Sequence, residues 1–180
     1  MIDELDARLI KLLTAEPRIG VLEASRRLGV ARGTVQARLD RMQQRGVIIG
    51  YGPDIDPAAI GYAVTAFVTL ELTQAGGRDE VAQKLSLISE ILEAHTITGS
   101  GDVLCRVVAR TNADLQRVID SIVSLPGVVR TSTVIALATA VSYRTTPLVE
   151  VTAAQRPGPG TATATGTGTG TGTGTEDPSA

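Results

Sequence analysis

The sequence predicts an α+β protein in which a purely helical part precedes a mixed part. Three observations carry this expectation. Apolar residues recur at helical spacing through the first 50 residues. Segments of strand character then alternate with helical ones between residues 62 and 139. Between the two regions lies Tyr51–Pro57, with Gly52, Pro53 and Pro57. The expected organisation is 1–50 helical, 51–61 hinge, 62–148 mixed, and 149–180 a tail.

The first helix is read from Leu5, Leu9, Leu12 and Leu13, which fall at i, i+4, i+7 and i+8; Pro17 stops it. Val21, Ala24, Ser25 and Leu28 mark a second, short helix ending at Gly29, a residue favoured just past a helix end because it tolerates positive φ. A third runs from about Arg32 to Gln44, with Val35, Leu39 and Met42 on one face and Gly46 after it. Gly46–Gly50 (GVIIG) reads as a short strand, so the domain is expected to be a winged helix-turn-helix.

The mixed part reads β-α-β-β-α-β. Its expected elements are strand Tyr62–Leu72, helix Arg78–Ile88, strand Ile91–Thr98, strand Val103–Arg110, helix Asn112–Leu125 with Asn112 as N-cap, and strand Val128–Thr139. That order predicts a ferredoxin-like βαββαβ domain with helices on one sheet face. The strands do not alternate cleanly: Phe67 opposes Val64, Ala66, Val68 and Leu70, and Leu104 and Val108 oppose Val103, Cys105, Val107 and Ala109. A sheet with one wet face would alternate. A second subunit is therefore expected on the face that the helices leave open, making a homodimer.

Charge is unevenly placed. The whole chain has net charge −2, yet residues 1–50 hold nine Lys+Arg against six Asp+Glu, and residues 51–150 hold seven against eleven. Val30–Met42 carries Arg32, Arg38 and Arg41 against the single acid Asp40. In a helix-turn-helix the second helix enters the major groove of DNA. Arg32, Thr34, Gln36, Arg38, Arg41 and Arg45 are then expected to face outward, with Arg26 and Arg27 near the backbone. Arginine reads guanine or pairs with phosphate, and glutamine reads adenine. If Arg38 reads a base, its removal costs about 1–3 kcal/mol. An arginine-rich amphipathic helix is also compatible with a solvated surface, and a tri-helical unit with protein docking. Ala31 stands where an N-cap serine would be better by about 1 kcal/mol.

Other chemistry is excluded. There is one histidine, His95, and one cysteine, Cys105, so neither an intrachain disulfide nor a cysteine-rich zinc site is possible. His95 reads as a packed or interface residue and Cys105 as a core thiol. No nucleophile–base pair, metal cluster or phosphate-binding glycine loop is present, so no enzyme and no cofactor is expected. Gly99-Ser100-Gly101-Asp102 reads as a hairpin turn, or as a cradle for a small polar ligand through its N–H groups. The acidic start MIDELDARLI lacks signal-peptide order, and no apolar run approaches about 18 residues, so a soluble cytoplasmic protein without membrane contact is expected. The Thr-Gly repeats of the tail bear no apolar groups able to support a core, and disorder is expected there.

In this order and spacing, several short pieces resemble the Lrp/AsnC family of transcriptional regulators. They are Leu5-Asp6, Arg18-Ile19, Leu28-Gly29-Val30, Arg38-Leu39, Arg45-Gly46-Val47-Ile48, Asp56-Pro57, Ile60-Gly61, Thr98-Gly99 with Asp102, and Pro126-Gly127-Val128. The resemblance covers about residues 2–148. It implies sequence-specific binding of double-stranded DNA by a dimer, assembly of dimers into octamers, and modulation by a small-molecule effector, commonly an amino acid. It places the effector at Gly99, Ser100, Gly101 and Asp102, with Thr131 and Thr133 as neighbours. Ser100 stands where the family often carries an acid. The alternative function is an architectural DNA-binding protein that ignores small molecules.

Overall fold

The computed structural model describes residues 2–73 and 77–155. In chain order the elements are α1 (Glu4–Ala15), α2 (Val21–Leu28), α3 (Arg32–Gln44), a 3-10 turn (Ala58–Ile60), β1 (Val64–Leu72), α4 (Arg78–Leu85), β2 (Ile91–Thr96), β3 (Val103–Ala109), α5 (Asn112–Val123), β4 (Val128–Ala136) and α6 (Thr146–Ala154). They form two compact units. Among the described residues, one holds 2–49 together with 144–155, and the other holds those between 50 and 143.

The first unit is built on α1, α2 and α3. Leu9, Ala24, Leu28, Val35, Leu39 and Met42 are its buried core, with Leu5, Leu12, Leu13, Ile19 and Ile48 packed around them. Full burial of one such side chain contributes about 1.5–3 kcal/mol. Asp3 caps α1: its Oδ1 accepts from the Asp6 N–H at 2.9 Å, while Asp6 Oδ2 accepts from the Asp3 N–H at 3.1 Å. This reciprocal pair satisfies two N–H groups that a helix start otherwise leaves open. Gly29 takes φ 69° and turns the chain between α2 and α3. There the Val30 N–H donates to Ser25 O at 3.1 Å.

No strand forms at Gly46–Gly50, so the expected wing is absent among the described residues. A strand needs a partner ladder. Here the Val47 and Ile48 N–H groups donate instead to Met42 O, at 2.8 and 3.3 Å, finishing α3. The expected tail, 149–180, is also corrected at its start. Residues 149–154 belong to α6, which packs on α1, with Lys11 Nζ 2.7 Å from Glu150 Oε1. The helix begins with Pro147 in its first turn, where a missing N–H costs nothing. The Thr-Gly repeat itself lies outside the described residues.

The second unit is a four-stranded antiparallel sheet of order β2-β3-β1-β4, the ferredoxin-like arrangement that the sequence predicts. Ala66, Val68, Leu70, Val103, Cys105, Val107 and Ala109 pack against Val81 and Leu85 of α4 and Leu115, Val118 and Ile122 of α5. Several ends differ from expectation for local reasons. β1 starts at Val64 because the Tyr62 N–H closes the preceding turn on Pro57 O at 2.8 Å. β4 ends at Ala136, the partner of Thr65, where β1 offers little further to pair, and Leu137 lies outside the strand. The N-cap of α5 is Thr111, not Asn112: Thr111 is extended and its Oγ1 accepts from the Asp114 N–H at 3.1 Å. On the face away from α4 and α5, Phe67 pairs with Val134 across β1 and β4, and both are exposed.

Candidate functional site

Gly29 and the short connection after it bring α3 back across α2, and Val35, Leu39 and Met42 fix the inner face of α3. Its outer face begins with Arg32, Gly33 and Thr34, all exposed. Among the described residues, the Arg32 and Thr34 side chains make no hydrogen bond or ion pair. Gln36 is exposed too, with its Nε2 donating to Asp40 Oδ1 at 2.8 Å. Ala31 supplies no side-chain cap and the first turn of α3 has no acid, so the positive end of the helix dipole is uncompensated there.

Arg38 and Arg41 are not free outward-facing groups. Arg38 Nη1 lies 2.7 Å from both oxygens of Asp3 and 2.7 Å from Asp6 Oδ1. Arg41 Nη2 lies 3.0 and 2.9 Å from the two oxygens of Asp6. Asp6 is only 1 % exposed. The Arg38 guanidinium is raised above its ordinary pKa by its hydrogen bond to Asp3, against the effect of burial and with help from Asp6. Burial pushes the Asp3 carboxyl up, but hydrogen bonds from Arg38 and the Asp6 N–H, with the charges of Arg38 and Arg41, together outweigh it and lower its pKa. Arg27 is also committed, paired with Glu16 and Glu23, whereas Arg26 remains well exposed and only loosely paired with Glu23 at 3.7 Å. Arg45 is not without an interaction.

Sequence reasoning missed Asp3 and Asp6. A D-x-x-D pattern ahead of an apolar run is a capping signature, and that much was readable. Nothing local in it points to arginines more than thirty residues away.

The second candidate region is the turn between β2 and β3. Gly99 takes φ 116°. Gly101 lies so close to β1 that an added Cβ would overlap the Thr69 methyl and stand 3.0 Å from Leu70 O. The Asp102 N–H donates to that same oxygen at 2.8 Å. The Asp102 carboxylate accepts from the Leu72 N–H at 2.8 Å and from Arg78 Nη2 at 3.2 Å. The Leu72 hydrogen bond, aided by Arg78 and opposed by desolvation, lowers its pKa. Gly101 and Asp102 are thus anchored to β1, while Gly99 and Ser100 form the exposed tip. Thr131 pairs with Leu70 from the other side of β1, and Thr133 lies two residues further on, opposite Val68. Thr131 therefore flanks the same end of the sheet, two strand spacings (about 10 Å) from the start of β3; Thr133 lies farther along β4.

His95 is exposed on the edge strand β2, with Nε2 3.5 Å from Glu93 Oε2. Cys105 is fully buried, and burial pushes its thiol up to about 11. Among the described residues no group of His, Cys, Asp and Glu is placed to hold a metal ion. Among them, too, no helix is long and apolar enough to cross a membrane.

Comparison with known proteins finds a family match in each half of the chain. Residues 2–43 match the AsnC-type helix-turn-helix domain, and residues 65–146 match the Lrp/AsnC ligand binding domain. The HTH-type transcriptional regulator FL11 of Pyrococcus horikoshii is 34 % identical over 138 residues, which are 77 % of this chain and 91 % of that one. The structure of Escherichia coli AsnC superposes with a TM-score of 0.76 at 29 % identity, covering 82 % of this chain and 99 % of AsnC. A feast or famine regulatory protein of M. tuberculosis, complexed with L-methionine, superposes with a TM-score of 0.72 at 28 % identity, covering 81 % of this chain and 98 % of that one. These relatives are regulators, not enzymes. The chain belongs to the Lrp/AsnC family of transcriptional regulators, with a helix-turn-helix domain for DNA and a ligand-binding domain for a small-molecule effector.

Proposed function

We propose that the chain is a sequence-specific, effector-responsive regulator that reads DNA as a homodimer in the cytoplasm. The observation that carries this reading is the exposed, unpaired start of α3: Arg32 and Thr34, with Gln36 one turn on. A dimer would place two such helices in successive major grooves, about 10 bp apart. Arg32, Thr34 and Gln36 supply base contacts; the uncapped helix end, Arg26 and the outer edge of Arg41 supply phosphate contacts. Phe67 and Val134 on the open sheet face support dimerisation there, with dimers assembling further into octamers.

The effector is an amino acid held by Gly99, Ser100, Gly101 and Asp102, with Thr131 and Thr133 nearby. The M. tuberculosis relative bound to L-methionine supports this choice. One observation favours a second reading, an architectural DNA-binding protein indifferent to small molecules. The Asp102 carboxylate is already engaged by the Leu72 N–H and Arg78, and Ser100 contributes no charge for an ammonium group.

Two measurements test the proposal. The full chain is titrated at two salt concentrations with the duplex upstream of its own gene and with a scrambled duplex. Preference for the native duplex is expected; equal binding with the same steep salt dependence means phosphate contacts alone. A thermal-shift screen over the amino acids then separates the two readings. Stabilisation by one amino acid, lost in Asp102→Ala, supports the regulator, and no shift with any of them supports the architectural protein.

A further inference from the structure

We propose that Asp6 is a positioning residue for DNA recognition: its buried carboxylate, with Asp3 beside it, holds Arg38 and Arg41 and thereby sets the orientation in which α3 offers Arg32, Thr34 and Gln36 to base edges. The inference rests on the reading of α3 as the base-contacting helix.

The geometry is a two-by-two cross between helices. Asp3 and Asp6 are one turn apart at the start of α1, and Arg38 and Arg41 are one turn apart on α3. Arg38 spans both acids, and Arg41 grips both oxygens of Asp6. Asp6 Oδ1 accepts from both arginines, and Oδ2 from Arg41 and the Asp3 N–H. No buried side-chain polar atom among the described residues lacks a partner. A buried ion pair of this kind is weak grounds for stability, because desolvation offsets most of the attraction. Its distinctive effect is geometric. Apolar ridge-into-groove packing by Val35, Leu39 and Met42 sets which face of α3 is buried, but such packing leaves about 15–20° of scatter in the crossing angle. Two charged contacts, about 4.5 Å apart along α3, set both its rotation and its axial register.

That register reaches the bases because α3 is continuous from Arg32 to Gln44. Thr34, Arg38 and Arg41 fall at i, i+4 and i+7, one stripe of the helix, so rotation at Arg38 carries Thr34 with it. Bidentate base contacts tolerate little misplacement. Without the Asp6 charge, two guanidiniums one turn apart lose the anion between them and repel, and α3 turns away from its native setting. Arg41 acts in both capacities: only Nη2 enters the pairing, and its side chain stays 46 % exposed.

The test uses the full-length protein. Wild type, Asp6→Asn and Arg38→Lys each select duplexes from a random-sequence pool. Each is also titrated with the duplex selected by wild type and with a scramble of it. Asp6→Asn keeps the size and removes the charge; Arg38→Lys keeps the charge and removes the planar fork. Both variants are expected to lose about tenfold in discrimination. The loss should spread over every base position of the half-site, with binding to the scramble retained. Relaxation at a single position in Arg38→Lys, and at none in Asp6→Asn, would make Arg38 a base reader and overturn the proposal. An unchanged preference profile in the folded variants would also overturn it, since a purely structural cluster changes the melting temperature alone. If Asp6→Asn does not melt cooperatively, Asp3→Asn takes its place under the same criteria. The underlying reading fails separately: Arg32→Ala and Thr34→Ala would then leave the wild-type preference intact, or wild type would enrich no sequence at all.

Discussion

Arg38 reaches back across the chain to Asp3, and its Nη1 lies 2.7 Å from each carboxylate oxygen. This pairing ties the first turn of α1 to the middle of α3, and it makes the first unit sensitive to acid. The Asp3 pKa is lowered in the fold. A lowered carboxyl pKa contributes stability above the unfolded value, about 3.9, and loses it as pH falls through the folded value. The melting temperature is therefore expected to be flat in this contribution from neutral pH to about pH 5 and to fall below about pH 4. Asp102 and Asp114 are lowered as well and add to the same window. The diagnostic quantity is the difference between wild type and Asp3→Asn, which should shrink as pH falls through that window. A difference independent of pH would contradict the role given to the Asp3 charge.

Gly101→Ala is expected to destabilise the protein by about 1–3 kcal/mol, the usual cost of forcing atoms into a packed site. The Thr69 methyl could rotate away, but the Leu70 carbonyl is held in the sheet. Chemical denaturation reads the loss. Ser100→Ala, at the exposed tip, is expected to leave stability within about 0.5 kcal/mol and serves as the control.

Arg32→Ala should weaken binding to the preferred duplex by about 1–3 kcal/mol if Arg32 reads a base. If it contacts only phosphate, binding to all duplexes should fall together and the slope of log K against log salt should drop by about 0.9. Titrations at several salt concentrations tell the two apart, and no change in either quantity would remove Arg32 from the interface.

Phe67→Glu tests the proposed dimer. Phe67 is 40 % exposed and stands outside the core beneath α4 and α5, so the domain should still fold. A buried, unpaired carboxylate at a subunit interface is strongly unfavourable. Sedimentation should therefore show a lower mass than wild type. An unchanged mass would place the interface elsewhere.

Helix α6 should matter little to stability. None of its residues is buried, and the Lys11–Glu150 pair is half exposed on both sides. Exposed pairs contribute about 0–1 kcal/mol. A chain ending at Arg144 is expected to melt within a few degrees of the full protein, and a large drop would show that α6 is integral to the first unit.

The sequence by itself determined the order and type of most elements. Leucines at helical spacing in α1, glycine after α2, and the apolar, valine-containing runs of β1 and β3 act through neighbours a few residues away, and such patterns are visible in a string of letters. The same holds for the glycine turn before β3. What only the tertiary structure decided involves partners far apart in the chain. Arg38 and Arg41 read as outward groups because their acids, Asp3 and Asp6, are 35 residues upstream. The turn that carries Asp102 was legible as a turn, but the Leu72 N–H and Arg78 that hold its carboxylate come to it only in the fold. Gly46–Gly50 had strand-forming residues but no strand to pair with. Thr146–Ala154 had little amphipathic signal, and α1 gave it a surface to lie on. Local propensity and pattern depend on the residues at hand, whereas an ion pair, a ladder or a docking surface exists only once folding supplies the other half.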